Sequence, residues 1–548
     1  MQNFNILSRR TFFDRSFRIG LGVALSTLVD VPWVMKRALA EGNIGVPGPD
    51  GKVKKLLFIF LRGANDALNS VIPVGDLAYN AANRPNIMIP KDPTAGFDYG
   101  ATGPCFDPTQ NLDVGGTTRG AADPTFIYGY AIRAGNGFAA LHPSLKFLAP
   151  VYNAGDLAFV HRVAYPKQSR SHFDSQNYWE TGTPNNSLVK DGIFYRAMVE
   201  SGLANTAPLT GVSVASALPL SLRGSAAAMT NLTDPTRYNL LGIPNNAPGN
   251  TKADGLINAA NTYPFADRKN RELLSLQYEN MANTLQIFAG INFSDAGNTF
   301  VDDANTDSDA PYYLFPTSNA KNGGYAFHAN DAQKYVVDTG AYGFFTNLKA
   351  ASLVLNKTDA LVAGVEIDGF DTHNNQVGAT PVVGQHANLL RRIGWAMYAL
   401  RKYFTLYADK AKWDDLVVIT LSEFGRTTVQ NTSIGTDHAE AGVMFVAGGA
   451  VKGYGKGNSY GVFGCHPSDP VPWVTGQTGS MFGASSRYLK RAYDYRSVLG
   501  KLIRDHLGAT QNQLNRIIPG YAVAGERLAT GGASSVDGTQ IIGEPNIV

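Results

Sequence analysis

KKLLFIFLRGAND, residues 54–66, sets six apolar side chains in succession, Leu56 to Leu61, and then breaks into a polar stretch holding Gly63 and Asp66. An apolar run without alternation is a strand covered on both faces, as in a parallel sheet, and the Gly and Asp mark the loop at its end. Four further runs read the same way: LAFVHRVA (157–164), LVAGVEI (361–367), LVVITL (416–421) and GVMFVAGG (442–449). Helical spacing lies between and after them. HANLLRRIGWAMYALRKYF (386–404) places Leu389, Ile393, Met397 and Leu400 three to four apart, and YRSVLGKLIRDHLG (495–508) places Val498, Leu502 and Leu507 less regularly. Strands alternating with helices predict an α/β fold, a three-layer α/β/α sandwich with a mostly parallel sheet.

With 548 residues, 44% hydrophobic and 17% charged, the chain can bury one large core or two smaller ones. Residues 76–140, rich in Gly, Pro, Asn and Asp, and 205–345, with a helical stretch near 268–290, interrupt the rhythm and read as loop-rich insertions covering one end of the sheet. The tail 525–548 lacks apolar periodicity and reads as a surface extension. Cys105 and Cys465, each in a Gly/Pro-rich loop, fit a disulfide or two separate thiols equally well, and no CxxC pattern is present.

The first forty residues stand apart. Ser8-Arg9-Arg10-Thr11-Phe12-Phe13 precedes an apolar segment from Ile19 to Val34 and then Ala38-Leu39-Ala40. This layout resembles a twin-arginine export signal with a small-residue cleavage site, followed by a linker at 41–52. Asp30 and Pro32 make the segment a poor permanent membrane span, so the expectation is a periplasmic or secreted protein, delivered by the export machinery, with no transmembrane span in its mature chain. The segment holds six Lys/Arg and two Asp, so the formal +3 falls to −1 without it, and nothing basic remains to recruit nucleic acid.

Ligands of open α/β sheets bind beyond the carboxyl ends of the strands. The first run leads to Asp66, LVAGVEI to Asp371 and His373 in GFDTH, and LVVITL to Glu423 and Arg426 in SEFGR. GTDHAEAG sets Asp437 and His438 just before GVMFVAGG. Carboxylates and imidazoles converging from separate elements are what a divalent cation needs: zinc, manganese or calcium. Glu423 could instead pair with Arg426.

After LAFVHRVA comes SRSHFDS, with Ser169, Arg170, Ser171 and His172 at a strand-to-helix turn. The spacing from Ser171 to Asp174 makes Ser171 a structural N-cap, which leaves Ser169 as the candidate nucleophile and Arg170 as the candidate ligand of a phosphate or sulfate. DDANTDSDA (302–310) alternates acidic residues as a calcium loop does, but Ser308 stands where the turn glycine belongs and no Glu closes it, so it reads as a solvated acidic loop.

Taken together, the export signal, FLRGANDALN, LHPSLKFLAPVYNAGDLAFVH, SRSHFDSQNYWETG, GFDTHNNQ, SEFGRT, GTDHAEAGVMFVAGGAVKG and DYRSVLGKLI resemble a bacterial secreted family, DUF1501, over most of the mature chain. That family is similar in turn to the alkaline phosphatase and sulfatase superfamily. The resemblance implies one alkaline-phosphatase-like domain over 53–524 and metal-assisted hydrolysis of a small-molecule or polymer ester. It also implies Asp66, Asp371, His373, Glu423 and His438, with Asp437, as metal ligands. Phe424 stands where the superfamily has a His, and Pro166 where sulfatases carry their nucleophilic Cys, which excludes a formylglycine enzyme. The alternative is a non-catalytic secreted binding or surface-assembly protein on the same fold.

Overall fold

The structure is a computed structural model that describes residues 44–48, 51–108, 113–114, 117–118, 128–203, 209–225, 227, 229–234, 255, 283–294, 300–304, 311–323, 337–457, 459–475, 487–522 and 525–548. The expected export signal, most of the helical stretch near 268–290, and 305–310 of the acidic loop lie outside these residues. Of that loop, Asp302 is buried and accepts from the Tyr398 hydroxyl at 3.0 Å, and Asp303 pairs with Lys402.

Nine strands form the main sheet: β1 (Lys55–Leu61), β2 (Leu157–Ala164), β3 (Gly211–Val214), β4 (Thr230–Asn231), β5 (Val362–Ile367), β6 (Leu416–Leu421), β7 (Gly442–Ala447), β8 (Val462–Phe463) and β9 (Tyr493–Asp494). Their order is β8-β2-β7-β6-β1-β5-β3-β4, with β9 continuing the edge along β2. β1 runs parallel to β5 and β6, β5 to β3, β3 to β4, and β2 to both β8 and β9. Among the described strands of this sheet only β7 is reversed, antiparallel to β6 and β2. The five apolar runs of the sequence are therefore five strands of one mostly parallel sheet.

Side chains of β1 alternate between two cores. Leu57, Ile59 and Leu61 enter one, Leu56, Phe58 and Phe60 the other. The first core is closed by α2 (Leu148–Asn153), α5 (Tyr342–Lys357) and α6 (Gln385–Leu406), α6 burying the expected seam of Leu389, Ile393, Met397 and Leu400. The second is closed by α3 (His172–Thr181), α4 (Ile193–Glu200), α7 (Tyr495–Lys501) and α8 (Gln511–Ile517). Each buried Leu, Ile or Phe contributes about 1.5–3 kcal/mol, so both faces of the sheet are firmly held. Gly364 of β5 lies under the Phe58 ring, where a Cβ would come within 2.0 Å of the ring.

In three regions the structure adds to the sequence reading. β3 and β4 carry the sheet into the stretch 205–345 that reads as an insertion; strands of four and two residues leave no apolar run to read. In the other insertion, residues 132–133 and 140–141 join 71–72 in a three-stranded sheet, and Tyr79, Ile89 and Phe138 pack into the first core. The tail from Gly525 is anchored, since Leu528, Ile541 and Ile547 are buried and Arg491 and Arg504 pair with Asp537 and Glu544. Cys105 and Cys465 are separate buried thiols, and burial pushes both up in pKa. No helix among the described residues is long and apolar enough to cross a membrane.

Candidate metal centre

The reversal of β7 gathers the polar residues. Because β7 runs against its neighbours, its first residue, Gly442, lies opposite Val163 near the end of β2. Asp437 and His438, which precede β7, thus meet the residues that follow β2, β5 and β6. The short helix α1 (Ala67–Ser70), capped by Asp66, follows β1 at the same edge. At the end of β2, Ser171 accepts from Asp174 N–H as the N-cap of α3, as its spacing suggests, which makes His172 the first helical residue. The loops are packed backbone to backbone. A Cβ on Gly63 would come within 2.4 Å of Asp371 N, and one on Gly435 within 2.3 Å of His373 O.

Four side chains converge. Asp371 Oδ1 lies 3.2 Å from His373 Nε2, 3.3 Å from His438 Nε2 and 3.6 Å from His172 Nε2. The Nε2 atoms of His373 and His438 are 2.9 Å apart. His172, Asp371 and His438 form a group able to hold a metal ion, and His373 adjoins it.

The other nitrogen of every ring faces an acceptor. His172 Nδ1–H donates to Glu423 Oε1 at 2.7 Å, His373 Nδ1–H to Asp437 Oδ1 at 3.1 Å, and His438 Nδ1–H to the Arg170 carbonyl at 2.8 Å. Neither a backbone carbonyl nor an ionised carboxylate can donate, so an Nδ1–H aimed at each of these acceptors leaves that imidazole's Nε2 lone pair free for a cation. All three Nε2 atoms then lie within 3.6 Å of one carboxylate oxygen. At 2.9 Å, His373 Nε2 and His438 Nε2 need a proton or a cation between them. His172 Nε2 is buried and without a hydrogen-bond partner.

The charges around the rings are held in place. Burial raises the Glu423 carboxyl, but hydrogen bonds from His172, Gln176 and Gly63 N–H outweigh it and hold the group below its ordinary value. The Glu423 bond raises His172 in turn, against burial. Burial and then the Arg426 charge lower His438. Asp371 is raised by burial and brought below its ordinary value chiefly by Arg426; Asp437 likewise by Asn431 and His373.

Not every expected site residue joins the cluster. Asp371, His373 and His438 do so directly, whereas Asp437 and Glu423 stand behind them on Nδ1 atoms. Asp66 faces elsewhere. Fully buried, it accepts from Arg84 Nη1 at 2.8 Å, from Gln376 Nε2 at 2.7 Å, and from Leu68 N–H as the cap of α1, and Arg84 outweighs the burial that would raise its pKa. The Ser169 hydroxyl accepts from Ser171 N–H at 3.2 Å. The Arg170 guanidinium lies over the Tyr488 ring at 4.4 Å, and it is the backbone carbonyl of Arg170 that reaches the cluster. Glu423 pairs with His172, while Arg426 reaches Asp371. The residue the sequence reading left out is His172; its signal was its position directly after an N-cap at a strand end.

Residues 327–471 match the model of DUF1501, a protein family of unknown function. The DUF1501 segment contains β5, β6 and β7 and with them Asp371, His373, Glu423, Arg426, Asp437 and His438. His172 and Asp66 lie before it. No curated protein matches the chain.

Proposed function

We propose that the chain is an exported metal-dependent hydrolase of phosphate or sulfate esters, holding one divalent cation through Nε2 of His172, His373 and His438 and Oδ1 of Asp371. The observation that carries this reading is that Nδ1 of each of the three histidines faces an oxygen acceptor. Imidazoles that bind a metal donate their other N–H to a carboxylate or backbone carbonyl, which orients the ring and raises its basicity. The spacing around Asp371 supports it as well. Donors about 2.0–2.1 Å from a tetrahedral ion lie about 3.3 Å from each other, and Asp371 Oδ1 lies 3.2, 3.3 and 3.6 Å from Nε2 of His373, His438 and His172. Three nitrogens and one oxygen favour zinc over calcium.

A cation bound here supplies Lewis acidity toward an ester oxygen and acidifies coordinated water. The chain's own residues orient and neutralise. Glu423 and Asp437 hold His172 and His373 in register, and Arg487 brings positive charge to the half-open rim, its Nη2 lying 3.8 Å from Asp437 Oδ2. Ser169, whose hydroxyl already accepts from Ser171 N–H, is the weaker nucleophile candidate beside water. Purified protein supplied with zinc or manganese should hydrolyse nitrophenyl phosphate or sulfate and lose that activity in His373→Ala. Equal turnover in wild type and variant sinks the reading.

One observation favours a non-catalytic binding protein instead. Arg426 already occupies Asp371 Oδ1, as in a hydrogen-bonded network that needs no metal. Metal content separates the two.

A further inference from the structure

We infer that Arg426 is a positioning residue of this centre: its guanidinium holds Asp371 where the three Nε2 atoms converge and ties together the loops that carry them. The inference rests on the metal reading above. The Arg426 side chain is fully buried. Its Nε donates to Ala64 O at 2.9 Å and its Nη1 to Thr436 O at 3.0 Å. Its Nη2 donates to Gly63 O, Phe370 O and Asp371 Oδ1. The acceptors belong to the loop after β1, the loop after β5 and the return loop before β7.

The Arg426 backbone pairs with His438 across an isolated antiparallel bridge. One residue therefore sets the register of two of the four donors, Asp371 through its side chain and His438 through its main chain. The Gly63 and Ala64 carbonyls are turned by left-handed backbone at φ 106 and 69, a conformation a non-glycine residue such as Ala64 adopts only when its surroundings hold it. Among the described residues Asp371 is the one carboxylate bonded to Arg426, and its side chain is 47% exposed. Only a planar fork of donors spans these separate oxygens; a lysine ammonium is a point charge and cannot. Sharing Oδ1 with a guanidinium also weakens the donation of Asp371, which leaves a bound cation a stronger Lewis acid.

The test is zinc affinity, measured by chelator competition on the full folded chain, beside the melting temperature of the metal-free protein. Arg426→Lys should bind zinc 10- to 100-fold more weakly per folded molecule, and the double variant with Asp371→Asn should lose less affinity than the two single losses combined. A lysine variant that melts lower but binds zinc like wild type overturns the inference and leaves the metal reading standing. Wild type that binds no zinc removes both. Should the lysine variant not fold, the guanidinium N–H resonances of Arg426 in wild type answer instead: they should move on adding zinc, and resonances that stay put overturn the proposal.

Discussion

At the scale of residues, the centre depends as much on the groups behind the imidazoles as on the imidazoles themselves. Glu423→Gln and Asp437→Asn keep the shape of the Nδ1 acceptors while removing their charge. Each should lower zinc affinity about 10- to 100-fold and leave the fold intact, as chelator competition and circular dichroism will show. Asp66 behaves differently because its carboxylate is committed to Arg84, both side chains being fully buried. Asp66→Ala strands the guanidinium and should cost about 3–5 kcal/mol in denaturant unfolding while zinc affinity per folded molecule stays near wild type. The sequence separates these roles poorly. Asp66, Asp371 and Glu423 all follow apolar runs, but Arg84, which claims Asp66, comes from an insertion with no readable register. His172 carries no mark of its pairing with Glu423, a contact between residues 251 apart that only the fold creates.

At the scale of elements, the strands were legible because fully buried strands must be apolar throughout. LAFVHRVA and LVVITL coincide with β2 and β6 to the residue. The short strands were not, since GVSV holds two apolar residues and edge pairs such as Val462–Phe463 sit among glycines. The direction of β7 leaves no trace in its composition either, though it brings His438 to the site. Loop packing sets the remaining tolerance. Gly435 lies against the carbonyls of Thr372 and His373, with no room for a methyl group. Gly435→Ala should push the His373 loop outward and weaken zinc binding at least tenfold, accompanied by about 1–3 kcal/mol of destabilisation from overpacking. Gly364→Ala, equally crowded but in the middle of β5, should show the destabilisation without the loss of zinc affinity per folded molecule. A comparable affinity loss in both variants would contradict local control by the loop.

At the scale of the whole molecule, buried histidines set the acid limit. His161, His386 and His506 are pushed down to about 4 chiefly by burial, and His142 is pushed well below its ordinary value by the same cause. Folded, they stay neutral; unfolded, they protonate near their ordinary value of about 6.5. The unfolded state therefore binds more protons between about pH 6.5 and 4, and stability present above that window is lost as pH falls through it. Each group contributes a slope of about 1.4 kcal/mol per pH unit there. Unfolding by urea of the metal-free protein should become steadily easier from pH 7 to pH 5, with a shallower slope in His506→Gln than in wild type. Equal slopes would show that His506 is not kept neutral in the fold.

The central claim is that three imidazoles, each with an oxygen acceptor at Nδ1, and one carboxylate hold a cation. Elemental mass spectrometry of the purified protein, beside His172→Ala and Asp66→Asn, tests it most directly. A single ion per chain in wild type and in Asp66→Asn, lost in His172→Ala, is the expected result. A well-folded wild type that stays empty after incubation with zinc, manganese or calcium, or a His172→Ala variant that keeps its metal, would contradict the claim.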